Sequence, residues 1–370
     1  LKYYIIAGEA SGDLHGSNLI KAIKKKDQAA EFRFWGGNLM QDASGVKPVK
    51  HYRDLAFMGF LEVAKNIKTI LGNIKFCKKD IAAYMPDVLV LVDYPGFNLR
   101  IAEFAKSLGI RVVYYISPQL WAWKEGRVET VKKYVDDMLV ILPFEEDFYK
   151  KHQFNAQFVG HPLLDAIGNL PKISVSDFKS KHHLDQREII ALLPGSRKQE
   201  VEKMLEIMLS VRPFFSNYQF VIAGAPSLDK DFYEKYVDDQ VHFVSNETYD
   251  LLRCSKAALV TSGTATLETA LLNVPEVVCY RSSVVSYEIG KRLVKNIKYI
   301  SLVNLIMDAE VVKELIQKEL NTENLVKELN LVLKENRSKI LGDYQLLKDK
   351  LGNHGASEKA ATIIVNTIMK

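Results

Sequence analysis

Tyr3-Tyr4-Ile5-Ile6-Ala7-Gly8-Glu9-Ala10-Ser11-Gly12-Asp13-Leu14-His15-Gly16 and Ile189-Ile190-Ala191-Leu192-Leu193-Pro194-Gly195-Ser196-Arg197 share one grammar: an apolar run, a glycine turn, then a polar segment of helical spacing. Small residues let a backbone approach a ligand closely. A helix starting there presents unpaired N–H groups and the positive end of its dipole to phosphate or hydroxyl groups. One such turn is weak evidence, but two, one in each half of the chain, predict twin α/β domains facing a central cleft.

The rest of the chain repeats that alternation. Strand-like runs end near Ala7, Gly36, Val92, Ile116, Leu142 and Gly160, and again near Leu193, Ala223, Val244, Val260 and Cys279. Helical segments between them predict parallel strands with crossover helices, two Rossmann-like sheets in all. The stretch Leu170-Pro171-Lys172-Ile173-Ser174-Val175-Ser176 loses apolar periodicity around a proline and serines, and is the expected linker. Domains are therefore expected over 1–169 and 170–345, with a C-terminal helix over 346–370 that packs back on the first.

Composition narrows the class. At 370 residues the chain exceeds the usual limit of a single core, and 48% apolar with 26% charged residues is the balance of a globular protein. A net charge of +5 favours anionic ligands or membrane surfaces and is too small to argue for nucleic acid. Cys77, Cys254 and Cys279 are few, scattered and odd in number, so neither a disulfide framework nor a cysteine metal site is expected. The eight histidines are dispersed, and Asp229 and Asp231 read as solvated surface. No metal site and no cofactor are expected. No P-loop sequence is present, and no basic leader or membrane-spanning run is read from the sequence.

Asp93 is the leading chemical candidate, because it emerges from the fully apolar run Val88–Val92, where desolvation would raise its pKa toward that of a general base. With Pro95 and Gly96 following, a helix-capping or turn aspartate is the competing reading. Glu9, Ser11, Asp13 and His15 are placed to hydrogen-bond a sugar or assist a base, or to cap a helix. Tyr114 to Trp123 concentrates aromatic residues that stack on sugars, hold acyl chains or simply fill core. In the second half, Ser262, Gly263 and Thr264 follow an apolar strand and suit a diphosphate at a helix start, with Glu268 one turn on for ribose hydroxyls. Arg197 is a candidate to neutralise the same diphosphate, or a solvent-facing arginine.

Taken in order, the first turn, Met58-Gly59-Phe60-Leu61-Glu62-Val63, Asp93 to Asn98, Ser117-Pro118-Gln119-Leu120-Trp121-Ala122-Trp123, Val159-Gly160-His161-Pro162, Leu193 to Arg197, Ser262 to Glu268, and Ser301-Leu302-Val303-Asn304-Leu305 resemble the lipid A disaccharide synthase family across almost the whole chain. The resemblance implies an inverting GT-B glycosyltransferase. Such an enzyme joins a UDP-linked diacylglucosamine to the 6-hydroxyl of a diacylglucosamine 1-phosphate and releases UDP. It also implies Asp93 as the base, which Glu9 and Ser11 of the first turn are then placed to assist. Arg197 is implied on the nucleotide phosphates and Asn304 as a further cleft residue, beside the Ser262, Gly263, Thr264 and Glu268 already read as substrate-binding residues. The family often continues Ala-Pro-Asp after the base aspartate. Here Tyr94-Pro95-Gly96 offers no second carboxylate at that point.

Lipid substrates call for a membrane-facing surface. From Phe57 to Ile74, apolar residues recur at helical spacing with Lys65 and Lys68 between them and Lys75 just beyond, which predicts either a core-facing helix or one lying in the lipid interface. The second reading assigns Phe60, Leu61, Val63, Ile67, Ile70 and Leu71 to the membrane, on the cytoplasmic face of the inner membrane. Lys291, Arg292, Lys295 and Lys298 form a second basic stretch that suits anionic headgroups or is simply solvated. Two other functions remain compatible: a UDP-sugar 2-epimerase of the same fold, and a non-catalytic UDP-sugar-binding protein of the membrane surface.

Overall fold

Every position of Val88-Leu89-Val90-Leu91-Val92 is buried, which is what a strand covered by helices on both faces requires. A computed structural model of the chain describes residues 1–55, 67–123, 125–168, 170–171, 173–225, 228–282, 298–352 and 354–369, without the side chains of 67 and 123. It divides into two compact units, residues 1–168 with 351–370, and residues 169–350.

The first unit holds a parallel seven-stranded sheet: β1 (Lys2–Ala7), β2 (Glu31–Gly36), β3 (Lys50–His51), β4 (Val88–Val92), β5 (Arg111–Tyr115), β6 (Asp137–Val140) and β7 (Ala156–Phe158). The order is β3-β2-β1-β4-β5-β6-β7, so the chain reverses its direction of travel at the β1/β4 pair. The two-residue period of a strand sorts side chains between two cores. Tyr4, Ile6, Leu89 and Leu91 enter one, and Tyr3, Ile5, Val88 and Val90 the other. Ala360, Ala361, Ile364 and Val365 of the last helix, Ala356–Met369, complete the second core. Asp165 caps that helix by accepting from the N–H groups of Gly355 (2.6 Å) and Ser357 (3.0 Å). The preceding helix, Arg337–Leu351, runs unbroken through position 346, so the chain passes into the first unit about five residues later than the periodicity suggests.

The second unit holds a parallel six-stranded sheet of β8 (Glu188–Leu193), β9 (Tyr218–Gly224), β10 (Val241–Ser245), β11 (Ser255–Thr261), β12 (Glu276–Tyr280) and β13 (Lys313–Ile316), in the order β10-β9-β8-β11-β12-β13. The serines of the expected linker start a helix instead. Ser174 accepts from the Asp177 N–H at the head of Val175–Lys181. The strands with no counterpart in the sequence reading, β3 and β13, are both edge strands. One is two residues long, and the other begins Lys313-Glu314, so neither shows an apolar run.

Candidate active site

In parallel sheets ligand chemistry gathers beyond the C-terminal strand ends, at the point where the strand order reverses. In the first unit that place is the turn after β4, and its backbone is strained. Asp93 and Tyr94 adopt φ of 44° and 51°, and Ile116, just past β5, adopts φ of 65°. For a β-branched residue this conformation is a genuine outlier, and such strain persists only where surrounding structure enforces it. The enforcing contacts are visible. The Asp93 carbonyl accepts hydrogen bonds from Asn98 Nδ2 (2.6 Å) and the Tyr114 hydroxyl (2.6 Å), while the Asp93 N–H donates to the Tyr115 carbonyl (3.3 Å).

Gly8 belongs to the same arrangement. A Cβ at that position would lie 2.4 Å from the Tyr94 ring, so the first glycine turn is small because another loop of the protein rests on it. The Asp93 carboxyl is pushed up to about 6, chiefly by burial and further by the charge of Glu9, against a hydrogen bond from the Tyr94 N–H. Behind it, burial pushes the Glu145 carboxyl up to about 8 despite the N–H groups of Ile141 and Leu142, and the Asp93 charge adds to the rise. Nothing in the sequence around Glu145 signals that burial.

The other first-turn candidates separate. Glu9 stands at the N-cap of the helix Ala10–Lys26 and faces Asp93 electrostatically, and Ser11 is exposed in that helix's first turn. Asp13 is buried and caps a different helix, Asn38–Ser44, by accepting from the N–H groups of Gly37, Leu39 and Met40. His15 is buried beside His161, so it lines no open surface. Tyr114 and Tyr115 are core residues, whereas Trp121 is half-exposed and meets Phe144 edge to face at 4.9 Å.

The second unit holds a cavity of about 340 Å³ over the ends of β8, β9 and β11. Ser262, Gly263, Thr264 and Glu268 line it, together with Gly195, Ser196, Glu200, Ala223 to Ala225, Thr248 and Thr261. Gly263, with φ of 155° and open space where a side chain would stand, caps the helix Thr264–Leu271. Thr264 and Ala265 therefore bring orphan N–H groups of the first turn to the wall. Glu268 accepts from the Tyr249 hydroxyl (2.8 Å), and burial raises its pKa. Glu200 closes the Gly195 turn, its carboxylate accepting from the Ser196 N–H (3.3 Å).

Two expected substrate-binding residues lie off this wall. Arg197 is exposed and caps the helix Lys198–Leu209, one residue beyond Ser196. Asn304 is fully buried with its amide committed inside the protein: Nδ2 donates to Val312 O and Glu314 Oε1, and Oδ1 accepts from the N–H groups of Val311 and Val312. It holds a loop and does not reach the cavity. Ser262 corrects expectation in another way: its N–H donates to Cys279 O and its hydroxyl to Ile300 O, which leaves it no donor for a phosphate.

Of the membrane-assigned residues, Phe60, Leu61 and Val63 lie outside the described residues, as do Lys291, Arg292 and Lys295 of the second basic stretch. Ile67 begins the helix Ile67–Tyr84, and its side chain also lies outside them. Ile70 packs against the core, on the same face as buried Ile74, Cys77 and Ile81, and so does not point outward. Leu71 is 55% exposed, and Phe76, which the sequence reading did not single out, is 48% exposed. Among the described residues no helix is long and apolar enough to cross a membrane, and no group of three His, Cys, Asp or Glu side chains is arranged to hold a metal.

Comparison with known proteins adds a family. The model of the lipid-A-disaccharide synthetase family matches residues 3–366. A lipid-A-disaccharide synthase of Syntrophus aciditrophicus is 41% identical, over 99% of this chain and 97% of its own. One of Coxiella burnetii is 35% identical over 98% of each. Among solved structures, S. aureus MnaA with UDP superposes with a TM-score of 0.71 at 14% identity, covering 100% of this chain and 98% of that one. The UDP-GlcNAc 2-epimerase of Neisseria meningitidis bound to UDP-GlcNAc gives 0.66 at 15%, covering 100% of both. At such identities the structural likeness shows a shared two-domain α/β fold.

Proposed function

The chain belongs to the lipid-A-disaccharide synthase family, and from that premise we propose that it transfers 2,3-diacylglucosamine from a UDP-linked donor to the 6-hydroxyl of 2,3-diacylglucosamine 1-phosphate, with inversion. The observation that carries this reading is Asp93: a carboxyl held on an enforced, strained turn and shifted to about 6, the range of a general base at neutral pH.

Asp93 removes the hydroxyl proton as the acceptor oxygen bonds to the anomeric carbon. The bond from that carbon to the diphosphate breaks, and its electron pair leaves on UDP. Glu9 keeps Asp93 basic by charge repulsion. In the second unit, the N–H groups at the start of Thr264–Leu271 face the growing charge of the diphosphate, the Arg197 guanidinium reaches it from an exposed position one residue beyond the cavity wall, and Glu268 receives the ribose hydroxyls while Tyr249 orients it. The helix Ile67–Tyr84 supplies part of a membrane-docking face through Lys68, Leu71, Lys75, Phe76 and Lys79, all exposed.

The test is UDP release from UDP-diacylglucosamine with and without the monosaccharide 1-phosphate. Release that depends on the acceptor supports the transferase. Acceptor-free turnover of UDP-N-acetylglucosamine would favour the epimerase that the fold also accommodates. Binding of UDP with no release in either assay would leave a non-catalytic binding protein.

A further inference from the structure

The donor cavity is anchored from outside by a buried carboxylate. Glu314, on the edge strand β13 and only 8% exposed, accepts four hydrogen bonds: from Ser301 N–H (2.9 Å), Ser301 Oγ (2.7 Å), Asn304 Nδ2 (2.9 Å) and Ile300 N–H (2.9 Å). The Ser301 N–H and the Ile300 carbonyl belong to one peptide plane and point in opposite directions. Fixing the N–H on Glu314 therefore fixes where the carbonyl points. That carbonyl accepts the Ser262 hydroxyl at 2.9 Å, and Ser262 N–H is tied to Cys279 O at 3.2 Å, so the cavity turn is clamped from two sides.

Beyond the clamp lie Gly263 and the free end of the helix Thr264–Leu271. Beside them is the Thr261 hydroxyl, buried on the cavity wall with no partner among the described residues. Resting on the reading of this cavity as the donor site, we propose that Glu314 is a positioning residue for the donor diphosphate. It acts through the Ile300 carbonyl and Ser262 to aim the Thr264 and Ala265 N–H groups into the cavity. Asn304 belongs to the same device. By bonding Glu314 and both edges of the Val311-Val312 backbone it keeps the carboxylate against the 300–301 peptide, which gives that asparagine a role without ligand contact.

Calorimetric titration of the full chain with UDP tests the proposal. Glu314→Ala is expected to weaken UDP binding by about tenfold and to raise donor KM more than it lowers kcat, with cooperative unfolding retained. Glu314→Gln, which keeps one acceptor oxygen, should recover part of the loss. Ser262→Ala should weaken UDP several-fold although the serine has no donor to offer it. The double variant should bind no worse than the weaker single, because both act through one carbonyl.

Lowered thermal stability with unchanged UDP affinity in Glu314→Ala would overturn the proposal, as would additive losses in the double variant. If Glu314→Ala does not fold, Ser262→Ala carries the test alone, and unchanged UDP affinity there overturns it equally. A wild-type chain that does not bind UDP would instead remove the donor-site reading, and this proposal with it.

Discussion

The base proposed for the reaction is a single carboxyl of the first unit. Asp93 is raised to about 6 by burial and then by Glu9, so it is protonated in acid and ionises as pH rises through that value, which is what the proposed base requires. The kcat/KM profile should accordingly fall off below about pH 6. Asp93→Asn should lower kcat by roughly two to four orders of magnitude with UDP affinity little changed. Near-normal turnover would eliminate Asp93 as the base. Glu9→Gln removes the repelling charge, which lets Asp93 ionise more easily, so the acid limb should move to lower pH. A limb that stays in place would mean that burial alone sets it. Glu9 and Asp93 were both legible in the sequence, because each follows an apolar strand at its C-terminal end. Glu145 and Glu314 were not, because nothing local marks a carboxylate that tertiary packing will bury.

Among the elements, the helix Ile67–Tyr84 shows how periodicity misleads when taken alone. Its apolar residues fall into two faces, Ile70, Ile74, Cys77 and Ile81 inward, and Leu71 and Phe76 outward among lysines. Hydropathy spacing gives the same weight to both. If the outer face meets lipid, Leu71→Ser should leave the melting transition nearly unchanged, since that side chain is 55% exposed, whereas Phe76→Ser should also lower it, because the Phe76 ring lies 6.0 Å from that of buried Trp35. Sedimentation with anionic vesicles should then drop several-fold, each lost side chain giving up on the order of 1.5–3 kcal/mol of transfer energy. Unchanged vesicle binding would remove this helix from the docking surface. The helix Asn38–Ser44 shows the converse: its cap, Asp13, comes from another helix, which no local reading of either segment reveals.

Over the whole molecule, buried groups of opposite pH linkage meet in the first unit. Burial lowers His15 to about 4 and His161 to about 3, the latter also through the neighbouring His15. Both are neutral in the folded state, so above about pH 6.5 they cost nothing. As pH falls from there toward 4, the unfolded chain binds protons that the folded chain refuses. At pH 5 the loss is on the order of 2 kcal/mol per histidine. The buried carboxyls Asp93, Glu145 and Glu276, all raised chiefly by burial, act in the opposite sense, favouring the folded chain as pH falls, and the first two share the histidines' unit and offset them there. The test is therefore a difference between variants: in thermal unfolding followed by circular dichroism from pH 7.5 to 5, His15→Gln should gain stability relative to the parent chain as pH falls, by on the order of 2 kcal/mol at pH 5. A difference that stays constant across that range would remove His15 from this linkage.

The apolar runs, the glycine turns after them and their order along the chain determined that this protein builds two parallel α/β sheets, and that its chemistry would gather at strand ends. Those are local properties, since alternation and turn residues act within a few neighbours. Only the tertiary structure decided which polar residues near those ends line a cavity and which are spent on the protein itself. Ser262, Asn304 and Asp13 carry the same chemistry as the other polar candidates near them in sequence. Their hydrogen-bonding capacity is nevertheless consumed by partners tens of residues away, or by a loop that only the folded sheet brings alongside. A donor can be used once, and the chain fixes where it is used only by closing on itself.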